Sequence, residues 1–305
     1  AMSLQERRTK QLLYYCKDLN NEYYLDMYRG MCQAANEREY LVTVNGVMKF
    51  ERIKDTMVDG IIMPNEDMTS YYMKKGGKNY YLPVVSASFC NVTDIPKSVP
   101  LVETDMYKAM EIALNYLNST GHKIIAYGFP YDMDNQNARY LAYKDYIRKV
   151  IGNAGWGKYV LAIHKNAMKN DPRIAPFSED LPGHSMYQEE DFFGKGKLAA
   201  QIFIERKLDA TAVICFNDEF AIGMIRGFQE LSVKVPEQIS VMGIDGTGTR
   251  KYLSPTLTTI NMFPQKQGQE CANILIDMIE KTNKRYMVHI KPKLQLGESV
   301  KNLRV

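Results

Sequence analysis

The feature that narrows the fold most is an alternation of short apolar runs with longer amphipathic stretches. The runs are Leu12–Tyr15, Gly60–Met63, Pro83–Val85, Lys123–Ala126, Tyr159–Ile163, Ala212–Cys215 and Ile239–Met242. Most lack a polar residue at every second position, so they predict strands covered on both faces, as in a parallel sheet. Between them apolar residues recur at helical spacing. One stripe is Tyr24, Met27, Tyr28, Met31, Cys32 and Ala35; another is Met106, Ala109, Met110, Ala113 and Leu117. Ala221, Met224, Ile225 and Phe228 form a third, and Cys271, Ile274, Leu275, Met278 and Ile279 a fourth. Repeated β-α units wind into a parallel sheet with right-handed crossovers. The 305 residues suffice for two lobes or one large α/β domain. The stretch 165–187, with Pro172, Pro176 and Pro182, breaks the rhythm and reads as a surface loop.

Composition excludes several classes. With 45% apolar and 24% charged residues, the chain is neither collagen-like, nor a disulfide scaffold, nor a disordered tail. A net charge of +4 is too small to name a nucleic-acid partner. No window reaches the ~18 apolar residues of a membrane span, so no membrane partner is expected. The five cysteines (Cys16, Cys32, Cys90, Cys215, Cys271) are scattered and odd in number, which suits free thiols in a reducing, cytoplasmic setting. His122, His164, His184 and His289 show no metal-ligand spacing, and no nucleophile elbow or P-loop is present. Gly243–Gly248 is glycine-rich with the wrong spacing for a dinucleotide loop. No metal, cofactor or catalytic residue is expected. Ala1-Met2-Ser3-Leu4 reads as an expression scar.

In an open α/β sheet, ligands bind outside the carboxyl ends of the strands. Past the expected strand ends stand Asp18, Asn20, Asn21, Asn65, Ser86, Phe129, Asn217, Asp218 and Asp245, with Tyr23 and Tyr24 opening the first helix. Amides and carboxylates beside aromatic faces suit a sugar or a nucleobase. Taken singly, each such residue is as well explained as a helix cap or turn former. Asp218 and Asp245 also admit a different reading, as an acid–base pair of a sugar-acting enzyme.

Three ordered blocks then carry a resemblance. They are Thr211-Ala212-Val213-Ile214-Cys215-Phe216-Asn217-Asp218-Glu219-Phe220-Ala221-Ile222-Gly223, Val235-Pro236-Glu237-Gln238-Ile239-Ser240-Val241-Met242-Gly243-Ile244-Asp245, and Leu253-Ser254-Pro255-Thr256-Leu257-Thr258-Thr259-Ile260. Upstream, Val58–Ile62, Val102–Asp105 and Gly121–Ala126 fit the same pattern. From about Lys10 onward the chain resembles the LacI/GalR-type transcriptional regulators. The resemblance implies a periplasmic-binding-protein-like (type I) α/β fold: two Rossmann-like lobes with parallel sheets, three interlobe crossovers and a ligand in the cleft. It places the lobes at 10–129 plus 262–286 and at 130–261 plus 287–305.

The family's helix-turn-helix has no counterpart before the first strand. The expected unit is therefore the effector-binding and dimerisation core, which meets operator DNA only through that further domain. Site residues carried over by position are Arg139, Asn217 and Asp245, with Tyr24 and its neighbour Tyr23. Asp105, Ser86 and Asn135 follow, and Phe192 or Phe193 supplies a second aromatic wall. Ala142 departs from the family's glycine after the arginine, and Gly297 stands where an arginine is usual. The implied partners are a small-molecule effector (a sugar or sugar derivative), operator DNA and a second copy of the chain. The same fold also serves the solute-binding proteins of sugar ABC transporters, and the family's catabolite-control members are regulated by a protein partner; a nucleoside or nucleobase effector stays open, since Tyr24 and a phenylalanine would stack on either.

Overall fold

Each apolar run becomes a strand in the computed structural model, which describes residues 8–16, 19–46, 57–76, 82–89, 95–131, 133, 137–163, 191–282 and 284–304. These seven are β1 (Gln11–Tyr15), β3 (Gly60–Met63), β4 (Val84–Ser88), β6 (Ile125–Phe129), β7 (Val160–Ala162), β8 (Ala212–Cys215) and β9 (Ser240–Asp245). Five more were not legible as apolar runs: β2 (Leu41–Asn45), β5 (Leu101–Thr104), β10 (Thr258–Asn261), β11 (Met287–Ile290) and β12 (Lys293–Gln295). Three of the five are sheet edges, and all alternate with polar residues or begin with threonines. A strand wetted on one side lacks the unbroken apolar signal of a central one.

The strands form two sheets with one plan. The first runs β11-β5-β4-β3-β1-β2, the second β12-β10-β9-β8-β6-β7. Every pairing in the first is parallel; in the second only β10–β12 is antiparallel. Sequence order within each sheet is the same, with a late strand added at one edge. Two compact units result: residues up to Asp105 with Phe263–Lys291, and Met106–Met262 with the chain from Pro292 onward. The chain passes between them three times. The passages fall after Asp105, Met262 and Lys291. The sequence expectation put the first near Phe129 and gave 287–305 wholly to the second lobe. Pairing of β6 with β8 and of β11 with β5 moves both boundaries.

In the first unit, α1 (Glu22–Asn36), α2 (Glu66–Gly76) and α7 (Pro264–Ile279) flank the sheet. In the second these are α3 (Met106–Ser119), α4 (Ala138–Ile151), α5 (Phe192–Glu205) and α6 (Asp218–Glu230). The expected stripes of α3 and α6 are buried. The stripe of α1 is rotated: Tyr23, Met27, Gly30, Met31 and Ala34 are buried, whereas Tyr24, Tyr28 and Cys32 are half-exposed. The cause is the close crossing of α7. A Cβ on Gly30 would strike the Gln265 carbonyl, and one on Gly268 the Met27 carbonyl. The pair α5 and α6 meets through Gly196 and Gly223, whose absent Cβ atoms make room for the carbonyls of Phe220 and Phe193. The loop expected at 165–187 lies outside the described residues. Among the described residues no helix is long and apolar enough to cross a membrane.

Candidate ligand-binding site

The carboxyl edge of the second sheet gathers the strongest candidates. Asn137 caps α4 by accepting a hydrogen bond from the Arg139 N–H (3.0 Å), and so places Arg139 in the helix's first turn. The arginine is 8% exposed, yet it has no acidic partner within ion-pairing distance among the described residues. Its guanidinium lies 3.5 Å from the centroid of the Phe216 ring, and Nη1 donates to the Phe216 carbonyl oxygen (2.6 Å). Phe216 follows β8 directly and precedes Asn217, the N-cap of α6.

Asn217 is 4% exposed, and its side-chain oxygen accepts from the Phe220 N–H (2.9 Å). Capping therefore uses the oxygen, and what Asn217 offers a ligand is its amide N–H pair. Asp245 ends β9 at φ 147, a conformation L-residues seldom adopt, and is 6% exposed. Burial, together with the Asp218 carboxylate, holds the Asp245 carboxyl well above the usual carboxylate range, against the pull of the Arg139 cation.

Asp218 has a different task. It is fully buried, and one carboxylate oxygen accepts from the Gly246 N–H (2.9 Å), the Thr247 N–H (2.8 Å) and the Thr247 hydroxyl (3.1 Å). The other oxygen takes the Thr259 hydroxyl. Burial raises its pKa and these hydrogen bonds oppose the rise. A carboxylate engaged on both oxygens is a brace for the turn after β9, which leaves the acid–base pairing with Asp245 without a free partner.

Aromatic rings line the same edge. Phe192 opens α5 and stacks with Phe216 (5.8 Å, 25°), while Tyr131 meets Phe216 edge-on (5.2 Å, 87°). Phe193 is 38% exposed, and its backbone carbonyl abuts Gly223, so Phe192 is the one of the pair that joins the ring cluster. Lys195 Nζ sits 5.8 Å from both the Tyr131 and Phe192 rings and donates to the Pro130 carbonyl (3.3 Å). Phe216, Tyr131 and Lys195 were not picked out as site residues in the sequence. Phe216 was within reach, since it stands one residue past a correctly placed strand. Asn135 lies outside the described residues.

The corresponding edge of the first unit is differently furnished. Tyr23 is buried, donates to Gln267 Oε1 (2.8 Å) and meets Tyr24 and Phe89 edge-on at 5.9 and 5.6 Å. Gln267 Nε2 in turn donates to the Val102 carbonyl (2.8 Å), the Ser88 carbonyl (3.2 Å) and the Thr104 hydroxyl (3.1 Å). Tyr23 is thus tied into the core, while its neighbour Tyr24 is half-buried. Ser86 was placed past a strand end, but β4 continues through Ser88. Its fully buried hydroxyl donates to the Ala87 carbonyl (2.6 Å) and pairs with the Thr69 hydroxyl (2.7 Å). Asp105 is exposed, between β5 and α3. Among the described residues no cluster of His, Cys, Asp and Glu has the form of a metal site.

Comparison with known proteins agrees with this architecture. Residues 9–172 match the family described as periplasmic binding proteins and sugar binding domain of LacI family, and residues 158–300 match a periplasmic binding protein-like domain. The HTH-type transcriptional repressor PurR of Photobacterium profundum is 37% identical over 106 residues, 34% of this chain and 32% of that protein. This chain therefore spans about a third of that relative's length. PurR of Histophilus somni is 24% identical over an alignment of 312 positions, covering 99% of this chain and 85% of its own. A LacI family regulator from Enterococcus faecium, solved with bound ribose, superposes with a TM-score of 0.72 at 21% identity, covering 96% of this chain and 99% of the other. The two-sheet architecture is thus the type I periplasmic-binding-protein fold, and the chain belongs to the family of periplasmic binding proteins and LacI-type sugar binding domains.

Proposed function

We propose that the chain is the effector-binding core of a LacI-family transcriptional repressor, taking a sugar or sugar derivative at the strand ends described above. The observation that carries this reading is the convergence of Arg139, Asn217 and Asp245, all nearly buried, at one sheet edge beside Phe216 and Phe192. Arginine brings a fixed fork of donors, the carboxyl of Asp245 accepts, and the amide of Asn217 donates. A ligand rich in hydroxyls satisfies such a set, and one that leaves it unpaired is rejected. Tyr24, Tyr23, Asp105, Ser86, Asn135 and Phe193 are proposed as further contacts.

In the full-length protein the core acts as a homodimer, and effector binding alters its affinity for operator DNA through a helix-turn-helix domain. Such coupling is typically ~1–3 kcal/mol. The repressor relatives support this over a transport role and over an enzyme, and the thiols of Cys16, Cys32, Cys215 and Cys271, none of them in a disulfide, suit a cytoplasmic protein.

A thermal-shift panel of sugars, sugar phosphates and nucleosides tests it, with Arg139→Ala as control. A compound at ~100 times its Kd stabilises by ~2.7 kcal/mol. A shift that disappears in Arg139→Ala is the expected result. A compound consumed during the assay, or a shift indifferent to Arg139, would overturn the reading.

A further inference from the structure

We infer that Phe216 is the positioning residue of the site: its ring and its carbonyl together fix the Arg139 guanidinium in the orientation that meets the effector. The inference rests on the proposed role of Arg139 and adds what holds it.

Arg139 is a nearly buried cation without an ion pair among the described residues, so something else must compensate its lost hydration. Among the described residues, its one side-chain hydrogen bond and its one ring contact both come from a single residue, beside the longer-range attraction of Asp245. Nη1 donates to the Phe216 carbonyl oxygen at 2.6 Å, and the guanidinium carbon lies 3.5 Å from the Phe216 ring centroid, well inside cation–π range. Nε is buried and has no hydrogen-bond partner among the described residues, so hydrogen bonding alone does not fix the plane of the group.

The stacking ring does fix that plane. A planar cation on an aromatic face can only present its edge, and its edge carries the N–H donors. Phe216 is itself held. Phe192 stacks with it, Tyr131 and Phe129 pack around it at 5.2 and 6.1 Å, and it joins β8 to the capped start of α6. The carbonyl contact would survive any side chain at 216, whereas the stacking contact needs an aromatic one. Residue 216 therefore sets how sharply Arg139 is aimed.

The test compares Phe216→Leu, Phe216→Tyr, Arg139→Ala and Arg139→Lys in the full chain. In a proton–nitrogen NMR spectrum the Arg139 Nε–H signal, assigned by its loss in Arg139→Lys, is shifted upfield by the ring current and exchanges slowly. Phe216→Leu moves it downfield and speeds its exchange; Phe216→Tyr leaves it in place. Calorimetric titrations use ribose, cellobiose and guanosine as probes. The probe that binds the unaltered chain is expected to weaken about 10–30-fold in Phe216→Leu, the scale of a desolvated cation–π contact, and less than about threefold in Phe216→Tyr.

Rescue by tyrosine separates aiming from general packing damage. If Phe216→Leu shifts the Arg139 signal but leaves affinity intact while Arg139→Ala abolishes it, the positioning role is overturned and the site stands. If Arg139→Ala leaves affinity intact, the site reading falls and takes the inference with it. An unmoved Arg139 signal in Phe216→Leu overturns the stacking itself.

Discussion

The two units share a strand order and a helix-packing device, yet they bury different chemistry. Each sheet adds strands in the same sequence from the same centre, and each unit contains a helix pair in contact through reciprocal glycines: Gly30 and Gly268 in the first, Gly196 and Gly223 in the second. Setting tyrosines and cysteines aside, the first unit buries one ionisable side chain among its described residues, Glu66. The second buries His122, Arg139, Asp218, Asp245 and Arg250. The first unit's buried polar groups are otherwise hydroxyls and amides: Gln267 joins Tyr23 and Thr104, Thr69 pairs with Ser86, and Asn21 caps α1. The difference teaches that the plan is generic and that the proposed site draws its buried charged groups from one copy of it.

The glycine pairs make the most severe break in the shared part. In Gly268→Ala the new Cβ meets the Met27 carbonyl, and in Gly223→Ala the Phe193 carbonyl. Neither oxygen belongs to a flexible side chain, so the helices must part. We expect each to lose about 3 kcal/mol, the upper range for overpacking, read as a lowered urea midpoint. A large loss from one and none from the other would show that the two helix pairs are not equivalent.

Next in size are the two polar hubs. Asp218→Asn turns a double acceptor into a group whose NH2 faces donors on Gly246, Thr247 or Thr259. We expect a loss of about 2–3 kcal/mol, the cost of unpaired buried donors. Gln267→Leu in the first unit strands the Val102 and Ser88 carbonyls, with an expected loss of about 1–2 kcal/mol. If Gln267→Leu proved the costlier, the emphasis on the second unit's charges would be misplaced. Differential stability by urea titration decides it.

The buried titrating groups give the comparison a pH axis. His122 accepts or donates at Nδ1 with Thr211 (2.9 Å) and donates from Nε2 to the Lys301 carbonyl (2.9 Å); burial lowers its pKa. A lowered folded pKa means the unfolded chain takes the proton first. Stability from neutral His122 is present above about pH 6.5 and is lost as pH falls toward the folded value. Asp218 and Asp245, with raised values, act the other way, and their contribution declines as pH rises above about 3.9. Just below about pH 6.5, where the unfolded chain takes the proton that folded His122 resists, His122→Gln should remove up to about 1.4 kcal/mol per pH unit from the rise of stability with pH. An unchanged slope would mean that His122 does not titrate differently on folding.

How much of this was legible in the sequence depends on burial. Central strands such as Gly60–Met63 and Ala212–Cys215, wrapped on both faces, announced themselves; edge strands such as Leu41–Asn45, with Leu41 66% exposed, did not. The same logic governs the site. Asn217, just past β8, and Asp245, at the end of β9, were singled out by their place at strand ends together with the family resemblance. Ser86 was placed past a strand end because β4 runs three residues beyond the apolar run Pro83–Val85, to Ser88. Phe216 escaped because an aromatic residue next to a strand reads as core until its contact with Arg139, 77 residues away, is seen. The glycine pairs escaped for a related reason: a close approach between helices distant in sequence leaves no local trace beyond the glycine itself.

The smallest expected effect tests the surface version of the same comparison. Both glycine-packed helix pairs are clasped by ions. In the first unit Arg38 reaches Asp277 (2.6 Å) and Glu280, with Arg285 also on Glu270 (2.7 Å) and Asp277 (3.5 Å). In the second, Lys197 and Arg226 share Glu230 at 3.0 Å each. The Arg38 side chain is 30% exposed and forks onto two carboxylates that are 23% and 26% exposed, whereas Lys197, at 34%, meets one that is 38% exposed. Partial shielding and a forked geometry favour the Arg38 clasp, so Arg38→Ala should lose about 0.5–1 kcal/mol in low salt. At 1 M salt the screening length shrinks to about 3 Å and most of that loss should vanish. Lys197→Ala should lose less at either salt. If Arg38→Ala proved as costly at 1 M as at low salt, the clasp would be holding the helices by the packing of the arginine stem rather than by its charge. The two units would then be alike at their surfaces as well as in their strand order, and different only at the carboxyl edge.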